Sequence, residues 1–129
     1  MRMDLLSLLA VGGGAFLGAV LRWVLSLLLN PLFPTVPLGT LAANLLGGLL
    51  MGLALGLFAQ FDALSPTARL FFTTGFLGGL TTFSTFSAET TTLLLRQQYA
   101  WTLAIVALHL FGSLLMTLAG IGLVRAIAR

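Results

Sequence analysis

The sequence predicts an all-α membrane protein of four transmembrane helices, the third of them broken near its middle. Three observations carry that reading. The 129 residues are 59% hydrophobic and 7% charged, with a mean hydropathy of +1.12, far beyond what a soluble domain of this size carries. Turn-forming residues cut the chain into four apolar runs: 5–29, 38–61, 68–95 and 99–127. Each exceeds the roughly 20 residues that span a hydrocarbon core. Within the third run, Gly75-Phe76-Leu77-Gly78-Gly79-Leu80-Thr81-Thr82-Phe83-Ser84-Thr85-Phe86-Ser87 sets two adjacent glycines among five hydroxyl side chains. A bilayer supplies no water to free backbone groups, so a loosened helix there needs protein or a polar cavity to satisfy them.

The first run, Leu5 to Leu29, follows Met1-Arg2 but is too long for the apolar part of a secretory signal. It contains Arg22 and ends in no small-residue cleavage site, which predicts a retained helix. Asn30-Pro31, Pro34 and Pro37 end it. Gly14 and Gly18, four apart, give it a smooth stripe for close backbone approach. Arg22 lies about a turn and a half from its end, where it either snorkels to the interface or lines a vestibule and concentrates anions.

The second run carries Gly48, Gly52 and Gly56 at the same spacing and one amide, Asn44, which either ties helices together or contacts a ligand. Asp62 and Ser65-Pro66 separate it from the third, with Pro66 near the start of the new helix. On the third run Phe83 and Phe86 share a face, Glu89 follows one step along it, and Thr81 and Thr85 occupy a neighbouring stripe. Arg96-Gln97-Gln98 makes a short polar cut before Tyr99 and Trp101, which suit the membrane interface. The fourth run places His109, Ser113 and Thr117 at intervals of four, a single polar line down an apolar helix. The whole of 1–129 reads as one four-helix transmembrane unit.

A unit this small has little interior for a broken helix and the polar groups of three other spans, so a second copy is expected. Copies related by a two-fold axis in the membrane plane would bring both breaks together at mid-bilayer. Arg2, Arg69, Arg125 and Arg129 lie on the side of the termini, against Arg96 and Arg22. That slight bias favours cytoplasmic termini and is compatible with insertion in both orientations.

Composition also excludes classes. The net charge of +3 comes from arginines scattered at helix ends, which fits a membrane protein better than a nucleic-acid binder. Cysteine is absent and the one histidine has no carboxylate near it on its helix, so neither a transition-metal site nor a catalytic triad is expected. No phosphate loop is present, and an enzyme is not expected. Hydroxyls, an amide, arginine and phenylalanine ring edges favour an anion; rings turned face-on would favour a cation, as would carbonyls freed at Gly78-Gly79.

The stretch Gly78 to Ser87, with Glu89 after it, closely resembles the third-helix signature of the Fluc (CrcB) fluoride-channel family. Arg22-Trp23, Gly39-Thr40, Asn44-Leu45-Leu46-Gly47 and Gly112-Ser113 extend the likeness over nearly the whole chain. The resemblance implies an antiparallel, dual-topology homodimer in the lipid bilayer of the cell membrane (the inner membrane in a Gram-negative cell), with two fluoride pathways. It implies a structural Na⁺ at the dimer centre, held by the backbone carbonyls of Gly78 and Thr81 from both subunits. It maps the fluoride pathway to Asn44, Phe83, Phe86, Ser84, Thr85, Ser113, Thr117, His109 and Glu89, and a vestibule arginine to Arg22. His109 falls where members vary in side chain. The expected function is passive, fluoride-selective export that lowers fluoride toxicity. A proton-coupled small multidrug exporter is one alternative, but that class needs a carboxylate in the middle of its first helix, where this chain has only Asp4 at the start. A non-transporting membrane scaffold is the other.

Overall fold

The computed structural model describes residues 3–129, and Arg2 of the charge comparison lies outside them. The described residues form helices and turns with no strand. Helix α1, Leu5–Leu29, starts where the Asp4 carboxylate accepts from the Ser7 amide at 2.8 Å. Pro31 turns the chain through a single 3₁₀ turn, Asn30–Leu32. The Asn30 side chain then accepts from the Gly39 amide at 2.7 Å, tying the end of α1 to the first turn of α2, Leu38–Gln60. The second run thus closes at Gln60, with Phe61 as its cap.

The third run is assembled from pieces. Ser65 caps α3, Pro66–Leu70, by accepting from the Ala68 amide, and Pro66 takes the first helical position, so helix begins two residues before the expected Ala68. A π-helical stretch, Phe71–Leu77, follows and runs into one short turn, α4, Gly78–Leu80. Thr81 and Thr82 are extended, with ψ of 153° and 117°, and α5, Phe83–Leu95, starts anew after them. At its far end Gln97 takes φ of 60°, which lets the amides of Gln97 and Gln98 reach back to the carbonyls of Leu94 and Leu93. Helix α6, Tyr99–Ile127, completes the chain.

Two small-residue contacts hold these elements at backbone distance. Against α1, a Cβ on Gly14 would meet the Phe71 carbonyl and the Phe76 amide, and one on Gly18 would meet the Phe76 carbonyl and the Leu80 amide. The Gly14 and Gly18 stripe therefore packs on the π-helical stretch and α4. A Cβ on Gly52 would overlap the Thr117 carbonyl, and one on Gly48 would come within 2.8 Å of the Ser113 carbonyl, so the α2 glycines are used by α6 of the same chain. Ala43, Leu77 and Leu80 are buried where α2 crosses the third run just before its interruption, with Leu21, Leu25 and Phe76 packed around them. Val36, Leu93 and Ile105 form a second small cluster at the other end of α5.

Three helical segments, Leu5–Leu32, Leu38–Gln60 and Tyr99–Ile127, are long and apolar enough to cross a membrane. Their outward faces carry leucine, phenylalanine and tryptophan in quantity, Leu5, Phe16, Trp23, Leu103 and Leu118 among them. A surface of that kind suits lipid, where apolar exposure carries no hydration cost.

Candidate functional site

The interruption at Thr81–Thr82 is bracketed by one side chain. Asn44 Oδ1 accepts from the Thr82 amide at 2.8 Å, and Asn44 Nδ2 donates to the Thr82 carbonyl at 3.1 Å. An unbroken helix would send the Thr82 amide to the Gly78 carbonyl and the Thr85 amide to the Thr81 carbonyl. Here the first goes to Asn44 and the second to Thr82 Oγ1, at 3.1 Å. The carbonyls of Gly78 and Thr81 are thereby deprived of their helical donors, and both residues line the open cavity described below. Each residue offers a neutral carbonyl without its helical donor, the kind of oxygen a hard cation of low charge takes, so their chemistry is compatible with the expected Na⁺ site from this chain's side. Among the described residues no cluster of three or more His, Asp or Glu offers an alternative metal site.

The Asn44 bracket also fixes the histidine. A backbone amide only donates, so the side-chain atom facing Thr82 N must be oxygen and the other must be nitrogen. That nitrogen is 2.9 Å from His109 Nδ1. Since an amide nitrogen only donates, Nδ1 accepts and neutral His109 carries its proton on Nε2. His109 is 5% exposed, and its Nε2 has no hydrogen-bond partner among the described residues. A buried donor left open in this way is the natural place for an acceptor that enters from outside.

Phe86 lies against His109 with ring centroids 4.6 Å apart, and Phe83 meets Phe86 edge-on at 5.6 Å and 64°. Phe83 is 81% exposed, the most open of the site's aromatic rings. Asn44, Phe83, Phe86, His109, Ser113 and Thr117 line one open cavity of about 450 Å³ between α2, α5 and α6. The hydroxyls of the α6 line are engaged with backbone: Ser113 Oγ donates to the Leu110 carbonyl at 3.2 Å, and Thr117 Oγ1 shares its proton between the Gly48 and Ser113 carbonyls at 2.9 and 3.0 Å.

Four expected residues stand apart from that cavity. Ser84 and Thr85 surround the hydroxyl of Thr82, at 3.3 and 3.1 Å, without lining the cavity. Glu89, one turn beyond Phe86, accepts from Thr40 Oγ1 at 2.6 Å, while its Oε1 is buried without a partner. It borders a second cavity of about 330 Å³ with Thr35, Thr92 and Arg96. Arg22 Nε donates to the Gly79 carbonyl at 3.1 Å, at the break itself. Three threonines outside the expected set belong here: Thr40 bonds Glu89, Thr82 is held by Asn44, and Thr73 lines the open cavity with its hydroxyl on the Arg69 carbonyl. Thr40 precedes Asn44 by four and so shares its stripe on α2, which was the available signal. Nothing in the spacing marked Thr82 as the residue whose backbone Asn44 holds.

A family model described as "CrcB-like protein, Camphor Resistance (CrcB)" matches residues 9–121. The chain belongs to the CrcB family. The motif of the third run therefore pointed to the right family. A Nitrosospira multiformis protein named Fluoride-specific ion channel FluC is 63% identical over 127 residues, covering 98% of this chain and 99% of that one. Proteins of the same name from Aromatoleum aromaticum and Pseudomonas putida are 59% and 57% identical, covering 91% and 89% of this chain and 89% and 91% of their own lengths. Membership of the CrcB family, together with three apolar helices of spanning length, makes this a multi-pass protein of the cell membrane.

Proposed function

We propose that this CrcB-family protein is a fluoride-selective passive channel that lets fluoride leave the cytoplasm, and that it is not an enzyme. The observation that carries the reading is the cavity lined by the T-shaped pair Phe83 and Phe86 and by His109, whose buried Nε2 donor has no partner among the described residues. Aromatic edges are positive and an N–H donor is open, so the lining offers an anion what water offered it. Fluoride is small and strongly hydrated, and a narrow path lined by such donors replaces its water where larger chloride does not fit. The relatives named above carry that activity in their names. Export needs no energy input: HF enters from an acidic exterior, dissociates inside, and the trapped anion leaves down its own gradient.

The same proposal includes a fourth span, assembled from Pro66 to Leu95 across the Thr81–Thr82 interruption, and an antiparallel, dual-topology homodimer. The exposed Phe83 ring and the open side of the cavity support a second copy as the missing wall. With two copies, the Gly78 and Thr81 carbonyls of each would hold a structural Na⁺ at the dimer centre, where a fixed positive charge joins the subunits. Asn44, Ser113, Thr117 and His109 then line the pathway beside the phenylalanines. Ser84, Thr85 and Glu89 would continue it along α5, with Arg22, expected to line its vestibule, bonded to the Gly79 carbonyl at the break.

Fluoride efflux from liposomes containing the purified protein, read with a fluoride electrode under a K⁺ shunt and with chloride as control, tests the reading. The expected result is rapid fluoride loss without chloride loss, abolished by Phe83→Ile in a protein that still folds. Efflux no faster than from protein-free liposomes refutes the channel, and transport of a different solute driven by a proton gradient would return the exporter.

A further inference from the structure

The two glycines at the end of the π-helical stretch face opposite ways. Gly79 is pressed onto α1: a Cβ there would overlap the Ala15 carbonyl and lie within 3.0 Å of its backbone. Gly78 has open space around it, with only the Thr73 carbonyl as near as 3.8 Å, and it lines the open cavity that Gly79 does not. In an unbroken helix the Gly79 carbonyl would accept from the Phe83 amide, but Thr81 and Thr82 are extended. Arg22 Nε, one turn along α1 from the Gly18 contact, donates to it at 3.1 Å instead.

We propose that Arg22 is a positioning residue for the cation site at the break: through its Nε bond it turns the Gly79 carbonyl toward α1 and so leaves the Gly78 and Thr81 carbonyls as the oxygens of the open rim. The inference rests on the Na⁺ site of the preceding reading. Arg22 and Asn44 then act as a pair of splints. One satisfies the Gly79 carbonyl from α1 and the other satisfies the Thr82 amide and carbonyl from α2. The Gly79 and Gly78 carbonyls lie in successive peptide planes that meet only at the Gly79 Cα, so holding the first restrains the second through the two dihedrals of Gly79, and the close contact of Gly79 with the Ala15 backbone limits those. The role assigned is that of a hydrogen bond at one atom, in contrast to a diffuse positive charge that gathers anions.

Side-chain length separates the two roles. The amide nitrogen of glutamine stands the same number of bonds from the backbone as Nε of arginine, so Arg22→Gln keeps the donor and removes the charge. Arg22→Lys keeps the charge and puts a methylene at the donor position, and Arg22→Met removes both. The purified protein, exchanged between Na⁺ and N-methylglucammonium, is followed by thermal unfolding, and the Na⁺ concentration giving half of the stabilisation is read for each variant. The expected order is Arg22→Gln within about twofold of the parent, with Arg22→Lys and Arg22→Met each needing roughly tenfold more Na⁺, the size of one lost charge-assisted bond. Should Arg22→Met not fold, Arg22→Lys carries the same comparison. Unchanged Na⁺ dependence in Arg22→Lys and Arg22→Met, or loss in Arg22→Gln with retention in Arg22→Lys, overturns the positioning role and leaves the cation site standing. A parent protein indifferent to Na⁺ overturns the site and the role together.

Discussion

The chain has one histidine, which turns the Asn44 bracket into a measurement. Asn44→Leu removes a donor to His109 Nδ1, a donor to the Thr82 carbonyl and an acceptor of the Thr82 amide, at separations of 2.9, 3.1 and 2.8 Å. Side-chain hydrogen bonds inside membranes contribute about 0.6 kcal/mol each on average and reach about 1.7. Losing three costs roughly 2 to 5 kcal/mol, since both Thr82 groups belong to backbone that cannot move away. The tautomer responds separately. With Asn44 in place, a proton on Nδ1 would face the Nδ2 protons and forfeit one bond, so the Nε2–H form is favoured by about 1 to 2 kcal/mol, on the order of tenfold.

Nitrogen-15 NMR of histidine-labelled protein reads that ratio without interference from any other ring. The expected spectrum shows neutral His109 with its proton on Nε2, and Asn44→Leu shifts the ratio towards that of free imidazole while lowering the unfolding midpoint. A dominant Nδ1–H form in the parent protein refutes the donor assignment. A ratio unmoved by Asn44→Leu refutes the claim that Asn44 sets it.

Other substitutions test separate contacts. Gly52→Ala places a methyl on the Thr117 carbonyl and must part α2 from α6, with an expected loss of about 1 to 3 kcal/mol in chemical unfolding. Gln97→Gly relieves a left-handed backbone at φ of 60° and is expected to stabilise by about 1 kcal/mol, read as a higher unfolding midpoint with transport unchanged. Hydrogen bonding from Ser7, its backbone amide foremost, holds the Asp4 pKa below its ordinary value. A carboxylate with a depressed folded pKa stabilises above its unfolded pKa and loses that contribution as pH falls through the folded one. The protection of the first-turn amides of α1, taken relative to their intrinsic exchange rates, should therefore fall in that acid range, and Asp4→Asn should remove the dependence.

Much of this could be read from residue order because lipid imposes strong rules. Long apolar runs, prolines 31, 34 and 37, and the Arg96-Gln97-Gln98 cut fix where α1, α2, α5 and α6 begin or end, because backbone polar groups in lipid must be satisfied within a helix. The glycine stripes were legible as close approaches, but not their partners: which helix meets Gly52 depends on three-dimensional packing, and its partner Thr117 lies 65 residues further along the chain. The π-helical stretch Phe71–Leu77 had no signal in the spacing; it lies where Gly14 and Gly18 of α1 approach its backbone, a contact between segments far apart in sequence. The same limit explains the site. Spacing put Phe83 with Phe86 and His109 with Ser113, each pair within one helix, whereas the bonds from Arg22 to Gly79 and from Asn44 to Thr82 join residues 57 and 38 positions apart.

The engaged hydroxyls bear on how an anion would travel this path under the channel reading. Ser113 and Thr117 each have one hydroxyl proton, and both protons already lie on backbone carbonyls. An entering anion therefore does not meet a row of idle donors; it meets donors that must rotate away from a carbonyl to serve it. The exchange trades one hydrogen bond for another, so each hydroxyl step is nearly balanced in free energy. His109 Nε2 differs, because it has no bond to give up. Conduction needs an ion held firmly enough to enter and loosely enough to leave. One open donor beside Phe86, followed by hydroxyls that must be won from the backbone, provides both. Converting Thr117 to valine, which keeps the shape and removes the exchangeable proton, should then slow fluoride efflux several-fold while leaving selectivity over chloride intact. Loss of selectivity would place discrimination in the hydroxyl line, and not at the aromatic pair.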